Sequence, residues 1–134
     1  MPPQDLFNAA KSVLKNAYAP YSRFQVAAAI RTASGNLFVG CNVENAAFSL
    51  TSCAETAAVT ACIAQGQKII TEILILVDQD QICPPCGACR QRLLEFSQKD
   101  LCVHLCTLKN IYAHFTLEQL LPHAFNSNNL EKKL

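Results

Sequence analysis

Apolar positions follow a helical period in some stretches of the chain and form compact runs in others. Helical spacing predicts helices over residues 5–18, 53–65, 86–96 and 116–119. Proline and glycine support these limits, because Pro20 ends the first helix, Gly66 closes the second and the pair Pro84–Pro85 precedes the third. Thr116 can cap the last helix together with Gln119.

Compact runs of apolar residues predict five strands, over residues 24–31, 37–41, 73–77, 101–107 and 111–115. A turn at residues 34–36 joins the first two into a hairpin. The third run is apolar throughout, as expected of a central strand covered on both faces. The order α-β-β-α-β-α-β-β-α predicts an α/β fold, a three-layer α-β-α sandwich with a five-stranded mixed sheet.

The length of 134 residues fits one compact domain, and no repeat, linker or low-complexity segment divides it. We expect a single domain over residues 1–134, with a frayed tail over residues 126–134. No apolar stretch approaches the roughly 18 residues that span a bilayer. The first residues lack the basic start and apolar region of a signal peptide, so we expect a cytoplasmic protein.

The charge distribution narrows the choice of partners. The formal net charge is +1, and no run of Lys or Arg exceeds the terminal pair Lys132–Lys133. A nucleic-acid-binding protein would normally present a basic stripe to the phosphates. The sequence therefore favours a small-molecule partner and argues against nucleic acid or membrane.

Eight cysteines in a chain of this expected location point to metal binding or catalysis rather than to disulfides. Cys86 and Cys89 are three residues apart and share one face of a predicted helix. Cys53, at the start of another helix, could supply a third thiolate. Three protein ligands leave the fourth tetrahedral position of zinc open to water, which is typical of a catalytic site. Glu55 is then a candidate general acid and base, as in zinc deaminases.

The residues alone leave other interpretations open. Ser52 and Glu55 fit a capping box with no chemistry. Cys83 precedes Cys86 by three residues, so a structural four-sulfur site is conceivable, although it would leave Glu55 without a role. A further set alternates onto one strand face, where core packing is the favoured interpretation: Cys102, His104 and Cys106.

Five segments resemble the small homotetrameric zinc-dependent cytidine deaminases, in the family's order: PYSRF (20–24), NVENAA (42–47), CAE (53–55), PCGACRQ (85–91) and LLPHAF (120–125). The resemblance implies one zinc ion per subunit, held by Cys53, Cys86 and Cys89. It also implies hydrolytic deamination of cytidine and 2′-deoxycytidine to uridine and 2′-deoxyuridine, with release of ammonia, in pyrimidine salvage. Glu55 would move protons between the attacking water, the ring and the departing amine.

The same resemblance implies the substrate contacts. Phe24 would contact the pyrimidine, the main chain at Ala54 would bind the base, and Asn42 and Glu44 would bind the ribose hydroxyls. Alternation in an extended segment independently places Asn42 and Glu44 on one side. Phe125 would reach from a neighbouring subunit and stack on the base, so that the homotetramer shares its active sites. The alternative role for Phe125 is a core anchor for the last helix.

The sequence departs from the family at several positions. Thr56 follows Glu55 where the family commonly has an Arg that offsets thiolate charge. Arg90, one helical turn after Cys86, is expected to compensate. Other departures change pocket details: Phe48 in place of Tyr, and Gln25 and Ala27 in place of Pro and Gly.

Three other functions compete with cytidine deamination. A polynucleotide-editing deaminase is the weaker rival, because the sequence lacks a basic track. A blasticidin-type aminonucleoside deaminase shares the Cys-Ala-Glu and Pro-Cys-Gly sequences, although Asn42 and Glu44 favour a ribose diol. A catalytically weak, deaminase-like zinc protein is the third, and Thr56 is the feature that favours it.

Overall fold

The computed structural model describes residues 1–131, and residues 132–134 lie outside the described part. The helices are α1 (Gln4–Leu14), α2 (Ala54–Ala64), α3 (Gly87–Glu95), α4 (Leu117–Leu120) and α5 (Asn128–Glu131). The strands are β1 (Val26–Thr32), β2 (Leu37–Cys41), β3 (Ile70–Val77), β4 (Cys102–Thr107) and β5 (Tyr112–Thr116). The predicted order is confirmed, with α5 and a short 3-10 turn at Phe48–Leu50 in addition.

The five strands form one mixed sheet in the order β2-β1-β3-β4-β5. Strands β3 and β4 are parallel, and the other neighbouring pairs are antiparallel. A parallel pair needs a crossover connection, and α3 provides it between β3 and β4. The central position of β3 agrees with its continuous apolar sequence.

Alternating residues of the central strands face two separate hydrophobic clusters. Ile73 and Ile75 of β3 belong to a cluster shared with α2, α3 and α4. Leu74 and Leu76, one position along, pack on the other face together with Leu6 and other residues of α1. The predicted three-layer α-β-α sandwich is therefore confirmed, since a side-chain period of two divides each strand between the two faces. Among the helices of residues 1–131, none has the length and apolar character needed to cross a membrane.

Helix α2 approaches the sheet very closely at Gly40 of β2. A Cβ atom at Gly40 would be 2.5 Å from the backbone N of Ala58 and 2.6 Å from the backbone O of Ala54. A glycine is required here because any side chain would enter the helix backbone. The contact fixes the first turns of α2 against the sheet.

Several predicted limits are displaced. Helix α1 ends at Leu14 rather than at residue 18, and the Tyr18 backbone instead donates to the Asn42 carbonyl. Strand β3 begins at Ile70 rather than at residue 73, because Ile70 pairs with Thr32 beyond a bulge. The polar residues Thr71 and Glu72 interrupt the apolar run there and conceal this part of the strand from the sequence pattern.

The ends of α2 and α4 show which of the predicted helix caps are formed. Cys53 is the N-cap of α2 and makes no side-chain capping bond, so the capping box expected as an alternative at Ser52 is not formed. Gly66 closes α2 with φ of 77°, as predicted. The Thr116–Gln119 capping box at α4 is also present.

The segment expected to be frayed contains α5. Asn126 and Asn129 cap this short helix reciprocally, each side chain accepting a bond from a backbone N–H at 2.9 Å. These amide side chains supply local bonds that an apolar pattern does not reveal.

Candidate metal centre and active site

Two helix starts bring three cysteines together. Cys53 is the N-cap of α2, Cys86 is the N-cap of α3, and Cys89 lies in the first turn of α3. Their sulfur atoms all lie within 4.8 Å of one another, which makes them a potential metal site. Zn–S bonds of about 2.3 Å in a tetrahedron separate the sulfurs by about 3.8 Å. The three sulfurs, hereafter the thiol cluster, therefore fit zinc.

The thiols of the cluster influence one another's ionisation. Burial, followed by the charge of Glu55, raises the pKa of Cys89, and burial also raises the pKa of Cys53. Burial acts to raise the pKa of Cys86 as well, but the backbone N–H of Cys89 and the other two thiols hold it below its ordinary value. Three thiolates in one place repel, so their joint ionisation requires a bound cation.

Glu55 lies in the first turn of α2, next to the thiol cluster. Glu55 is only 6% exposed, although a carboxylate is normally solvated. Burial is the largest influence and raises the pKa of the Glu55 carboxyl, while its own backbone N–H and the charge of Arg92 act in the opposite direction. A carboxyl with a raised pKa is suited to taking and returning a proton near neutral pH.

The other candidate metal ligands lie outside the cluster. The Cys83 sulfur is 3.6 Å from the Pro84 carbonyl, and within residues 1–131 it does not join the group of three. His104 is buried, and both its ring nitrogens are engaged at 2.8 Å, with the Tyr112 hydroxyl and with a Glu72 carboxylate oxygen. The interpretation of Cys102, His104 and Cys106 as structural residues agrees with these bonds.

The expected role of Arg90 is wrong. Its Nε donates to the Pro85 carbonyl at 2.8 Å and its Nη1 to the Leu120 carbonyl at 2.6 Å, so that it joins α3 to the end of α4. Another arginine faces the cluster instead. Arg92 Nη1 donates to Thr56 Oγ1 at 2.9 Å, and that oxygen is 4.0 Å from Cys89 Sγ.

The predicted ribose-binding residues lie in an extended segment beside the cluster. Val43 exchanges two backbone bonds with Ser52, the residue before Cys53, and Tyr18 bonds to the carbonyl of Asn42 and the N–H of Glu44. The segment is thus fixed on both edges next to a cluster cysteine. The alternation of side chains in an extended segment predicts that Asn42 and Glu44 share one side, and their role in ribose binding stays a prediction.

Both side chains of this segment hold the chain around Phe24. Asn42 is buried, and its amide donates to the Phe24 carbonyl at 2.8 Å and accepts from the Val26 N–H at 2.9 Å. Glu44 accepts from the Ser22 hydroxyl and from two backbone N–H groups, those of Tyr21 and Ser22. The Ser22 hydroxyl is the main reason that the pKa of Glu44 is below its usual value.

An open groove of about 380 Å³ adjoins this segment. Its lining is Tyr21, Ser22, Glu44, Asn45, Phe48 and Thr51. The Tyr21 and Phe48 rings meet edge to face with centroids 6.3 Å apart, and Phe48 is 78% exposed. A lining that combines aromatic rings with a few polar groups is typical of small-molecule sites.

The two remaining predicted contacts differ in exposure. Ala54 is fully buried at the start of α2, where its main chain is close to the cluster. Phe125 is 58% exposed, and its carbonyl accepts a bond from Gln91 of α3 at 2.8 Å. The exposure rules out the alternative role of Phe125 as a core anchor within this chain.

Sequence reasoning missed Arg92 and Gly40. Arg92 follows Cys89 by three residues, the spacing that places two side chains on one helix face. Gly40 is an isolated glycine within a strand pattern, which often signals a close backbone approach. Both signals are present in the sequence, but neither identifies the partner across the fold.

Comparison with known proteins agrees with this geometry. Residues 2–105 match the family model described as the cytidine and deoxycytidylate deaminase zinc-binding region. A cytidine deaminase of Halalkalibacterium halodurans is 38% identical over 127 residues, which cover 95% of this chain and 96% of the relative. A cytidine deaminase of Mycobacterium tuberculosis is 37% identical over 87% of this chain and 84% of the relative.

Solved structures give the same result. The crystal structure of a cytidine deaminase from Burkholderia pseudomallei superimposes with a TM-score of 0.87 at 38% identity and covers 93% of this chain and 100% of that one. A cytidine deaminase from Mycobacterium tuberculosis has a TM-score of 0.80 at 36% identity, with 92% and 96% covered. On both sequence and structure, this chain belongs to the cytidine and deoxycytidylate deaminase family with its zinc-binding region.

Proposed function

We propose that this chain is a zinc-dependent hydrolase that deaminates cytidine and 2′-deoxycytidine to the corresponding uridines and releases ammonia, as in pyrimidine salvage. The observation that supports this most directly is the thiol cluster with the buried Glu55 beside it. A purely structural zinc site would use four protein ligands and would not need a neighbouring buried carboxyl.

Cys53, Cys86 and Cys89 hold one zinc ion per chain in this proposal. When bound, zinc acts as a Lewis acid that makes a water molecule more acidic. The start of α3 favours the thiolate form of Cys86, because the backbone N–H of Cys89 is among the groups that hold the pKa of this thiol below its ordinary value.

Glu55 carries the protons of the reaction. As a carboxylate it takes a proton from the attacking water, and as a carboxylic acid it returns protons to N3 of the ring and to the departing amine. Burial supports both roles, because it raises the pKa of the carboxyl and brings the two forms closer in free energy.

Substrate binding uses the segment around Asn42. The proposal assigns the ribose hydroxyls to Asn42 and Glu44, the pyrimidine to Phe24 and a base contact to the main chain at Ala54. The bonds that Asn42 and Glu44 already make to residues 21–26 support this assignment, since they fix Phe24 relative to the ribose site. Preorganised contacts of this kind reduce the entropy cost of binding.

We also propose that the chain works as one domain within a cytoplasmic homotetramer, with Phe125 entering a neighbour's site. Two hydrophobic clusters on opposite faces of one sheet support a single domain. All eight cysteines are free thiols, as in proteins of reducing compartments. The exposure of Phe48 and Phe125 supports an interface that covers them.

The decisive experiment follows the ultraviolet absorbance of cytidine after addition of purified protein whose zinc content has been measured. We expect about one zinc per chain and steady conversion of cytidine. Blasticidin S, assayed in parallel, tests the aminonucleoside alternative, which is correct if blasticidin S is consumed and cytidine is not. Protein that contains zinc and converts neither compound would contradict the proposal and favour the catalytically weak alternative.

A further inference from the structure

A bonded chain of polar groups connects an exposed arginine to a cluster sulfur. Arg92 lies on α3 three residues after Cys89, and its Nη1 is 2.9 Å from Thr56 Oγ1 on α2. A guanidinium only donates hydrogen bonds, so the Thr56 oxygen accepts in this contact. Its own hydroxyl proton is then free to point at Cys89 Sγ, which lies 4.0 Å away.

The metal-bound site carries an excess of negative charge that a nearby cation would offset. Three thiolates exceed the charge of Zn²⁺ by one negative unit, and the Glu55 carboxylate adds another. Cys89 and Glu55 are both buried, so water screens this excess poorly. A cation next to the cluster therefore stabilises its metal-bound form.

Arg92 is well placed for this role. Within residues 1–131, Arg92 is a basic residue that bonds to Thr56, and the Thr56 hydroxyl in turn contacts the sulfur of Cys89. Arg90, also on α3, is bonded to the Pro85 and Leu120 carbonyls. Because the Thr56 hydroxyl is polarised by the guanidinium, it becomes a stronger donor to sulfur than an isolated hydroxyl.

We propose that Arg92 is a positioning residue that acts through the Thr56 hydroxyl on Cys89 and thereby strengthens zinc binding by the thiol cluster. Arg92 and Thr56 together provide the positive charge and the donor that a single arginine at position 56 would provide. This inference rests on the proposed function, because it requires that the cluster binds zinc.

A double-mutant cycle in zinc affinity tests the proposal. Arg92→Gln removes the charge and Thr56→Val removes the hydroxyl with little change of shape, and Thr56→Ser keeps the hydroxyl. Zinc affinity is measured by competition with a chromophoric chelator. Groups that orient metal ligands commonly contribute about 10-fold or more to affinity. We expect Arg92→Gln and Thr56→Val each to bind zinc about 10-fold more weakly, and Thr56→Ser to bind like the wild type.

The double variant and a charge control separate the mechanism from nonspecific effects. If Arg92 acts through Thr56, the double variant is no weaker than either single variant. Lys11→Gln removes one positive charge from α1, on the other face of the sheet, and should leave zinc affinity unchanged. Fully additive losses, or an Arg92→Gln protein that binds zinc as tightly as Lys11→Gln, would overturn the proposal.

A rescue variant tests the electrostatic explanation directly. Thr56→Arg in the Arg92→Gln background restores a guanidinium beside Cys89, so zinc affinity should return to within about 2-fold of the wild type. Failure of the rescue would contradict the charge argument. Wild-type protein that binds zinc and converts cytidine, with variants that bind zinc equally well, would refute this inference alone. Wild-type protein that binds no zinc would refute the proposed function instead.

Discussion

Glu55 combines two properties that rarely occur together, since it is an ionisable group in a nearly closed environment and it lies beside three thiols. A glutamate that served only to cap the helix would be exposed, and the capping box between Ser52 and Glu55 is not formed. Burial of a carboxyl costs free energy, and groups buried at this cost beside other titratable groups occur mainly at functional sites, so the position of Glu55 favours a chemical role.

The substitution Glu55→Gln should therefore retain zinc and lose nearly all turnover. The amide has the size of the carboxyl but cannot exchange a proton, and general acid–base groups contribute about 100- to 10,000-fold to rate. Cytidine absorbance measures the loss, and zinc content measures the retention. Glu95→Gln removes a carboxylate from an exposed position of α3 and should keep full activity. A Glu55→Gln protein with normal kcat would refute the assignment.

Asn42 shows what the sequence can and cannot indicate at this scale. Its position beside Glu44 in an extended segment follows from alternation alone. Its two bonds to the backbone at Phe24 and Val26 depend on a contact across 16 to 18 positions of the chain, which no local pattern contains. Arg92 was missed for the same reason, because its partner Thr56 lies on another helix.

Among the elements, the contact between α2 and β2 controls the geometry of the site. The first turn of α2 follows Cys53 and carries Glu55, and Gly40 is the point where this helix touches the sheet. Any displacement of α2 would separate Cys53 from the two cysteines of α3.

We expect Gly40→Ala to reduce stability by about 2–3 kcal/mol and to lower both zinc affinity and kcat. The added Cβ would lie 2.5 Å from a backbone nitrogen, which cannot move without moving α2. Urea unfolding measures the stability and chelator competition the affinity.

Gly66→Ala is the matched control for Gly40→Ala. Gly66 has φ of 77° but no atom within 4 Å of an added Cβ. It should cost about 1 kcal/mol of backbone strain and leave zinc binding intact. Equal effects of the two substitutions on zinc would show that the close approach does not position the cluster.

The elements themselves were predicted well, because their signals are local. Apolar spacing together with Gly66 and the Thr116 cap gave most helices and strands close to their observed limits. The errors occur where contacts with residues distant in the sequence determine the limits of an element. Tyr18 leaves the helical pattern to pair with Val43, and β3 continues through polar Glu72 because neighbouring strands bond to it.

Glu72 belongs to a polar row that joins α1 to three strands. Arg31 of β1 donates to Asp5 of α1 and to Glu72 of β3, each at 2.8 Å, and His104 of β4 bonds to the other Glu72 oxygen. Burial acts to raise the pKa of the Glu72 carboxyl, but the bonds to His104 and Arg31 outweigh it and hold this pKa below the usual value.

The lowered pKa of Glu72 predicts a pH-dependent contribution to stability. A carboxyl whose pKa is lower in the folded state stabilises the fold above its unfolded pKa of about 4.3, and this contribution disappears as the pH falls through the folded value. Glu72→Gln should therefore cost about 1 kcal/mol at pH 7, and this cost should diminish as the pH falls below the unfolded pKa of about 4.3. Urea unfolding of both proteins at several pH values measures the difference, and a cost that persists at low pH would contradict the explanation.

A control for Glu72→Gln is available at the surface. Asp80 pairs with Lys109 where both side chains are largely exposed, and Asp80→Asn should leave stability unchanged at every pH. Comparison of the two variants distinguishes the stability contributed by the partly buried polar row from that of a surface ion pair.

At the scale of the whole molecule, the site of a single chain is open on one side. The groove beside Glu44 is lined by Tyr21 and Phe48, and within residues 1–131 both of these side chains are mostly exposed. Leu50 and Phe125 are large apolar side chains that are also mostly exposed. Bulk water is poorly excluded from such a site, and its exclusion would strengthen the electrostatic interactions on which the reaction depends. A neighbouring subunit that covers these residues would resolve both problems.

Subunit mixing tests whether Phe125 completes a neighbour's site. Phe125→Ala and Glu55→Gln should each be nearly inactive alone, the first for lack of the stacking ring and the second for lack of the proton carrier. In a mixed oligomer, a Phe125→Ala subunit keeps its Glu55 and receives Phe125 from a Glu55→Gln neighbour. Equal random mixing in a symmetric oligomer places such a pair at about a quarter of the sites, so about a quarter of wild-type activity should return. If Phe125 served its own chain, mixing would restore nothing, and the shared site would be ruled out.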